Sequence, residues 1–461
     1  MHEVDCVVIG GGLAGLACCR ELVRRGKTTI LVEASSRIGG RVATDTVEGF
    51  RIDRGFQVYL DAYPEGKRQL DLSALRLGGF EPGAILADGR RLLTNADPWR
   101  RPVAPIRSIL QGAVGPGDAI RMARLRSDVL RALRKGRLDP IVQGSDRSTR
   151  EELRERGFSD EFVRRFFEPF FGGVFLERDL ATSAEIFRVT FAMFAIGRAC
   201  LPRGGMEAIP RQLAEVLPQD ALRLGVAAVA VEPGRVELAD GSTLRARNVV
   251  VATPRAAAAA VLPESLRSGW AERRDKSTML VAFAAPRSPL PRATILVTAS
   301  GVGPIDNLTV PSDVVEGYAP AGSHLVCVSV RHEVTSGFGA DERGGVVGRG
   351  IGRPSDAAGP SERAGDLWSA PSDEALCESI RGQAAGWFGS ETDRWRHLAT
   401  IRVGAALPDE SPEGRRLRPS SSRLAPGLFM CGDHCATASI NGALASGRIC
   451  AREVAGEAGA G

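Results

Sequence analysis

Lysine is nearly absent from this chain. Of its 60 basic residues only Lys27, Lys67, Lys135 and Lys276 are lysine; the rest are arginines spread along the sequence. Set against 55 acidic residues they leave a net charge of +5, with no polybasic arm, and charge alone gives no argument for a nucleic-acid partner. Long apolar runs are missing too. The longest, Ile186–Ile196, is shorter than the ~18–20 residues needed to cross a bilayer and contains Arg188, which excludes a polytopic membrane protein. Paired thiols are absent: nine cysteines, an odd number, stand at irregular spacings without a CxxC pair. Reduced thiols in a cytoplasm are the expectation. A strand-like run from Val4 to Ile9 begins almost at Met1, where a secretory leader would need a charged and then an apolar region. What is present, 43% hydrophobic and 25% charged residues over 461 positions, is a soluble globular balance, and the length suggests two or three domains.

The opening residues are the most informative. Val4–Ile9 reads as a strand, Gly10-Gly11-Gly12-Leu13-Ala14-Gly15 as a glycine turn and Leu16–Arg25 as a helix stopped by Gly26; Thr28–Val32 is a second strand ending at Glu33. Each part has a task in holding a dinucleotide. Gly10 permits the tight turn, Gly12 lets backbone approach a pyrophosphate, and Gly15 lets helix and strand pack closely. The helix N-terminus offers free N–H groups to phosphate oxygens. Glu33 is placed to accept from a ribose diol, and its charge disfavours the 2′-phosphate of NADP.

Directly after it comes Glu33-Ala34-Ser35-Ser36-Arg37-Ile38-Gly39-Gly40-Arg41. An E-A-x-x-R-x-G-G-R segment behind such a fingerprint resembles the flavoprotein superfamily that includes monoamine oxidase, protoporphyrinogen oxidase and phytoene desaturase. The resemblance implies FAD as cofactor, with Gly39 and Gly40 letting backbone pass close to it and Arg41 neutralising phosphate charge. The end of the chain carries a second part of the resemblance: a strand-like run Gly427–Cys431, then Gly432-Asp433, then Ala436–Ala443 opening a helix through Glu453. In that family such a G-D pair contacts the ribityl and phosphate region, and the helix aims its N-terminus at the flavin's pyrimidine edge, where reduced flavin carries negative charge. Gly432, Asp433, Ile440, Asn441 and Ala443 are assigned on that basis. Asp53-Arg54-Gly55-Phe56-Gln57 corresponds to the stretch that passes beside the isoalloxazine, with Gly55 near the ring and Phe56 or Gln57 lining the pocket. His434 is a further flavin-proximal candidate; catalytic residues are otherwise unassigned. Cys431, His434 and Cys435 lack the fourth ligand that zinc wants, so no metal is expected.

Strands are expected at Val226–Val231, Arg235–Leu238 and Val249–Thr253. By resemblance the first lies against the adenine at Ala228, a position that plain sheet packing also explains. Pro202-Arg203-Gly204-Gly205-Met206 resembles the family's crossing back to the cofactor domain. The expected fold is therefore α/β: a Rossmann-like FAD-binding domain, a parallel sheet with a β-meander insertion, from residues 1–75, 201–262 and 400–461, interleaved with an α+β substrate domain from 76–200 and 263–399. A Gly/Ser/Pro/Arg-rich stretch, 333–371, reads as a flexible insertion; its Gly344–Gly352 lacks the flanking strand and helix of a second dinucleotide site. Without that site a pyridine-nucleotide:disulfide reductase is disfavoured, and oxygen or a quinone is the expected electron acceptor.

On the substrate side, Phe162, Phe166, Phe167, Phe170, Phe171 and Phe175, followed by Phe187, Phe191 and Phe194, concentrate aromatics in a chain only 5% aromatic. Core packing and an apolar substrate channel both account for them. Gly172-Gly173 is expected to interrupt the first run. Asp118–Lys135 reads as a basic amphipathic helix, suited to solvent or to an anionic membrane surface. Ser148-Thr149-Arg150-Glu151 reads as a capping box. Amine oxidation in the resembling oxidases involves a lysine near flavin N5; matching Lys276–Pro286 to that strand puts Thr278 at the equivalent place. This favours dehydrogenation of a hydrophobic molecule, isoprenoid/carotenoid-like or porphyrinogen-like, by hydride transfer to flavin. A flavin amine oxidase and a redox-neutral or structural flavoprotein are the alternatives.

Overall fold

The computed structural model describes residues 4–96, 115–138, 147–267, 275–299, 303–330, 372–416, 418–419 and 421–456. The 333–371 stretch, with Gly344–Gly352, lies outside the described residues.

Two large sheets organise the chain. The first has eight strands. Its parallel part runs Leu222–Leu224, Thr29–Glu33, Val4–Ile9, Thr243–Val251 and Leu428–Met430, each strand beside the next. Val7, Val8, Leu31, Val249, Val250 and Leu428 have no or almost no exposure, as expected where both faces of a parallel sheet are covered. Arg235–Leu238 and Ala228–Glu232 continue antiparallel from the strand 243–251 as a meander. The Thr243–Val251 strand starts earlier than the apolar run at 249 indicates, because its first half pairs with the meander and needs no apolar pattern.

Helices Leu13–Arg24 and Ile440–Val454 pack against each other on one face of this sheet. A β-carbon at Gly447 would lie 2.1 Å from the Ala14 carbonyl oxygen, so glycine sets how closely the helices approach. In the same seam the sulfur atoms of Cys18, Cys431 and Cys450 lie within 4.8 Å of one another, all buried. The parallel strands point their carboxyl ends to one edge. Gly10, Glu33, Ala252 and Gly432, which stand at or just after four of those ends, are thereby gathered from across the sequence.

The second sheet has seven strands in the order Arg396–Leu407, Lys276–Ala285, His324–Val330, Ile305–Thr309, Ile295–Thr298, Gly83–Asp88 and Arg91–Ala96. All neighbours are antiparallel except Ile295–Thr298 with Gly83–Asp88. One face, with Met279, Val281, Phe283, Val326 and Val328, packs on helix Asp373–Phe388 through Leu376, Ile380 and Ala384. The opposite face looks toward the first sheet.

A helical layer completes the molecule: Pro116–Arg134, Thr149–Glu155, a bundle segment over 160–175, and Ala184–Ile196. Its core is the phenylalanine set, with Phe167, Phe171 and Phe187 essentially unexposed. The capping box at Ser148 forms as its sequence predicts. The glycine pair does not interrupt the aromatic run. Helix Glu168–Phe175 passes through both glycines and ends at Leu176, which takes a left-handed φ of 52°. Gly172 is needed for the turn that follows, since a β-carbon there would sit 2.5 Å from the Glu177 carbonyl oxygen. The irregularity lies earlier, in a π-helical turn over Val163–Phe167. No helix among the described residues is long and apolar enough to cross a membrane.

Candidate active site

Gly10, with φ +109°, turns the chain out of the first strand where a β-carbon would meet the Ala252 carbonyl oxygen at 2.8 Å. Gly15 packs so closely that its β-carbon would lie 2.0 Å from the Gly10 carbonyl oxygen. Gly12 differs: no protein atom lies within 4 Å of the place its β-carbon would occupy. The loop therefore has two packing glycines and one that keeps open space in front of the helix N-terminus. Glu33 closes one side. Its carboxylate accepts from the Gly11 N–H at 2.6 Å and from the Ser35 N–H and hydroxyl at 2.8 Å each.

The glycine turn at 39–40 lies directly against this loop. The Gly39 N–H donates to the Gly11 carbonyl at 2.8 Å, and a β-carbon on Gly40 would be 3.5 Å from Gly12 Cα. Arg41 then reaches across the molecule, donating to the Ala406 carbonyl and to Asp433 Oδ1, both at 2.7 Å. Arg37 points elsewhere: it pairs with Asp45 at 2.5 Å and donates to the Thr44 carbonyl at 3.1 Å.

From the far end of the chain, Gly432, Asp433, His434, Ile440 and Ala443 line the same cavity as Gly10, Gly12, Leu13, Ala14, Glu33, Ala34, Gly39, Gly40 and Arg41. Ala228 lines it as well. Burial would raise the Asp433 carboxyl, but the Arg41 guanidinium and His434 hold it well below the usual carboxylate range. Burial disfavours the His434 imidazolium, yet Cys435 and Asp433 push its pKa up to about 10. Ser439 caps the last helix, its hydroxyl accepting from the Gly442 N–H at 2.9 Å. Asn441 does not face the cavity: its Oδ1 accepts from the Glu65 N–H at 2.9 Å, and Glu65 in turn holds Arg448 at 2.7 Å. Gly15 likewise acts through packing and Arg37 through its ion pair; none of these three lines the cavity.

The cavity has a volume of about 1620 Å³, above the ~300–1,000 Å³ of a pocket for one small ligand. It runs from the glycine loops to Phe166, Phe170, Phe191 and Phe194, so the aromatic helices serve both as core and as cavity wall. Between the two ends stand Gly55, Phe56 and Gln57. A β-carbon on Gly55 would be 3.5 Å from Thr278 Cγ2 and 3.9 Å from Val403 Cγ2, which places this loop against the second sheet. Gln57 donates to the Arg41 and Arg54 carbonyls at 2.8 and 2.9 Å; Phe56 meets Phe80 edge-on with centroids 6.2 Å apart. Thr278 lines the cavity. Lys276, two residues away, is tied to the Glu177 carboxylate and donates to the Phe175 carbonyl at 3.0 Å.

The roles of two further residues escape a reading of the sequence. Glu410 accepts from the Ala438 N–H at 2.6 Å and holds Arg415 at 2.8 Å, fixing the segment that enters the last helix. Asp53, buried, accepts from Thr44 Oγ1 at 2.6 Å, the Met206 N–H at 2.9 Å and Tyr318 Oη at 2.7 Å; burial raises its pKa to about 6. Glu410 sits in no motif, and although Asp53 opens the stretch matched at 53–57, its partners Met206 and Tyr318 lie 153 and 265 positions away.

Such a groove, with glycines, an acid after the second strand and a second helix N-terminus from the far end of the chain, has the parts of an FAD-binding site. Comparison gives the family: the model for flavin containing amine oxidoreductase matches residues 13–333 and 358–455, and the chain belongs to that family. It is 30% identical to a phytoene dehydrogenase of Streptomyces griseus over 237 residues, 45% of each chain. With protoporphyrinogen oxidase 2 of Arabidopsis thaliana it shares 26% over 178 residues, 37% of this chain and 34% of that one. Both matches span less than half of the relative's length. In fold it is similar to a putrescine oxidase solved with putrescine bound (TM-score 0.67, 13% identity, 99% and 100% of the two chains covered). An oxidoreductase from Methanosarcina mazei gives a TM-score of 0.67 at 16% identity, with 98% and 100% covered.

Proposed function

We propose that the protein dehydrogenates a hydrophobic small molecule, isoprenoid/carotenoid-like or porphyrinogen-like, held between Gly55–Gln57 and the phenylalanine wall. The observation that carries this reading is one continuous cavity joining the glycine loops to an aromatic wall, with Thr278 in its lining and Lys276, absent from that lining, tied to Glu177 at the cavity wall. Gly12, Glu33, Gly39, Gly40, Arg41, Gly432 and Asp433 hold the adenosine, phosphate and ribityl parts of the cofactor, and the helix from Ile440 presents its N-terminus to the pyrimidine edge. When bound, FAD supplies the acceptor for a hydride leaving a substrate carbon, and oxygen or a quinone then takes the electrons. The chain itself contributes orientation and a water-poor site. Within this reading the cofactor segments are 1–75, 201–262 and a C-terminal part. That last part starts after Leu407 instead of at 400, because Arg396–Leu407 pairs in the second sheet.

Anaerobic titration of the flavin absorbance tests the reading. Bleaching by a lipophilic donor and none by amines is the expected result. Bleaching by amines with aldehyde and hydrogen peroxide formed on admitting air would replace it with amine oxidation. A ligand that binds and is isomerised while flavin stays oxidised would replace it with a redox-neutral role.

A further inference from the structure

The face of the second sheet turned toward the cavity is apolar along most of its width. One row across it reads Leu86, Val297, Asn307, Ser329, Leu280 and Ile401, fixed by the strand registers. Asn307 and Ser329 break the pattern side by side. Each is only 6% exposed, and both line the cavity with Val297. Thr309, two residues along the same strand and on the same face, is fully buried. The amide nitrogen of Asn307 donates to Asp306 Oδ2 at 3.5 Å, which orients the group. Asn307 Oδ1 and Thr309 Oγ1 are then left buried with no hydrogen-bond partner. An unpaired buried acceptor is costly, and a fold retains it where something else supplies the donor. Above the pair runs the phenylalanine helix. A β-carbon on Gly173 would come 3.3 Å from Asp306 Oδ2 and 3.6 Å from Asn307 Nδ2, so polar groups and aromatic wall share one lobe.

We propose that Asn307, with Ser329, is a specificity subsite that binds a hydrogen-bond donor, a hydroxyl or ring N–H, on an otherwise apolar substrate. The inference rests on the reading above that the cavity takes a hydrophobic molecule. Strand spacing places Asn307 about 12 Å from Thr278, two strands across and two residues along. The substrate therefore carries its donor at that distance from the carbon that faces Gly55, and a pure hydrocarbon leaves the subsite unmatched.

The test uses the FAD-loaded protein and two probes with one skeleton, geranylgeraniol and its methyl ether, titrated against the visible flavin band. The alcohol is expected to bind roughly tenfold more tightly, one hydrogen bond's worth. In Asn307→Leu that ratio falls to about one, with flavin content retained and ether affinity held or improved. Equal affinity for the two probes in the unaltered protein, or an undiminished ratio in Asn307→Leu, overturns the subsite alone. Failure of both probes to bind the unaltered protein overturns the apolar-substrate reading and the subsite with it. Should Asn307→Leu lose flavin, Ser329→Ala decides: a ratio reduced severalfold supports the subsite and an unchanged one overturns it.

Discussion

Gly12 gives the sharpest separation of the proposed cofactor contact from a folding contact. Its φ of −75° and ψ of 179° are open to alanine, and no protein atom lies within 4 Å of the added methyl. Restricting the unfolded chain stabilises a Gly→Ala variant by about 0.4–1 kcal/mol. Alanine is a poorer N-cap than glycine, which costs a few tenths to about 1 kcal/mol. The two offset, so Gly12→Ala should leave the urea midpoint of the flavin-free protein nearly unchanged. The methyl nonetheless projects into the space before the helix N-terminus, where phosphate approaches backbone in the proposed arrangement. A loss of about 1.5–3 kcal/mol in binding is expected, or roughly 10–100-fold in the FAD dissociation constant. Equilibrium dialysis of stripped protein against FAD measures the binding, and a parallel urea titration measures the fold. Gly15→Ala is the contrast: its methyl would lie 2.0 Å from the Gly10 carbonyl oxygen, so stability and FAD affinity should fall together. Wild-type FAD affinity in Gly12→Ala would show that the pyrophosphate does not lie in front of this loop.

Three further outcomes are expected. Lys276→Met leaves Glu177, whose side chain is 8% exposed, without its cation; unfolding free energy should fall by about 3 kcal/mol, Lys276→Met/Glu177→Leu should recover most of it, and flavin reduction by a lipophilic donor should change less than about threefold. Asp53 has its folded pKa raised to about 6 from 3.8, so between these values the native state binds the extra proton and stability declines as pH rises, by up to ~3 kcal/mol; urea midpoints measured from pH 4 to pH 7 should show this slope in the unaltered protein and lose it in Asp53→Asn. Arg41→Lys keeps the charge but not the fork that spans Ala406 and Asp433; the FAD dissociation constant should rise at least about tenfold, read by dialysis.

Local pattern carried the cofactor half of the molecule into view. A strand, three spaced glycines, a helix and an acid lie within the first 33 residues, and each is dictated by backbone geometry that acts over a few neighbours. The same holds for the helix after Ser439 and the capping box at Ser148. The π-helical turn at 163–167 and the early start of the strand at Thr243 were not legible, because packing against other segments set them. Arg37 and Arg41 show the limit most plainly. Both are arginines of one motif, four residues apart, yet one pairs with Asp45 nearby and the other with Asp433, 392 positions away.

From sequence alone came the dinucleotide fingerprint, written in short-range spacing, the apolar bias of the remainder, and, through the resemblance of the segments at 33–41 and 432–443, the flavin. Only the tertiary structure decided that Gly10, Glu33 and Gly432 share one sheet edge, that Lys276 turns to Glu177, and that Asn307 and Ser329 stand side by side facing the phenylalanines. These are contacts between strands far apart in the chain. Their register is set by the burial of whole faces, and no window of neighbouring residues contains it.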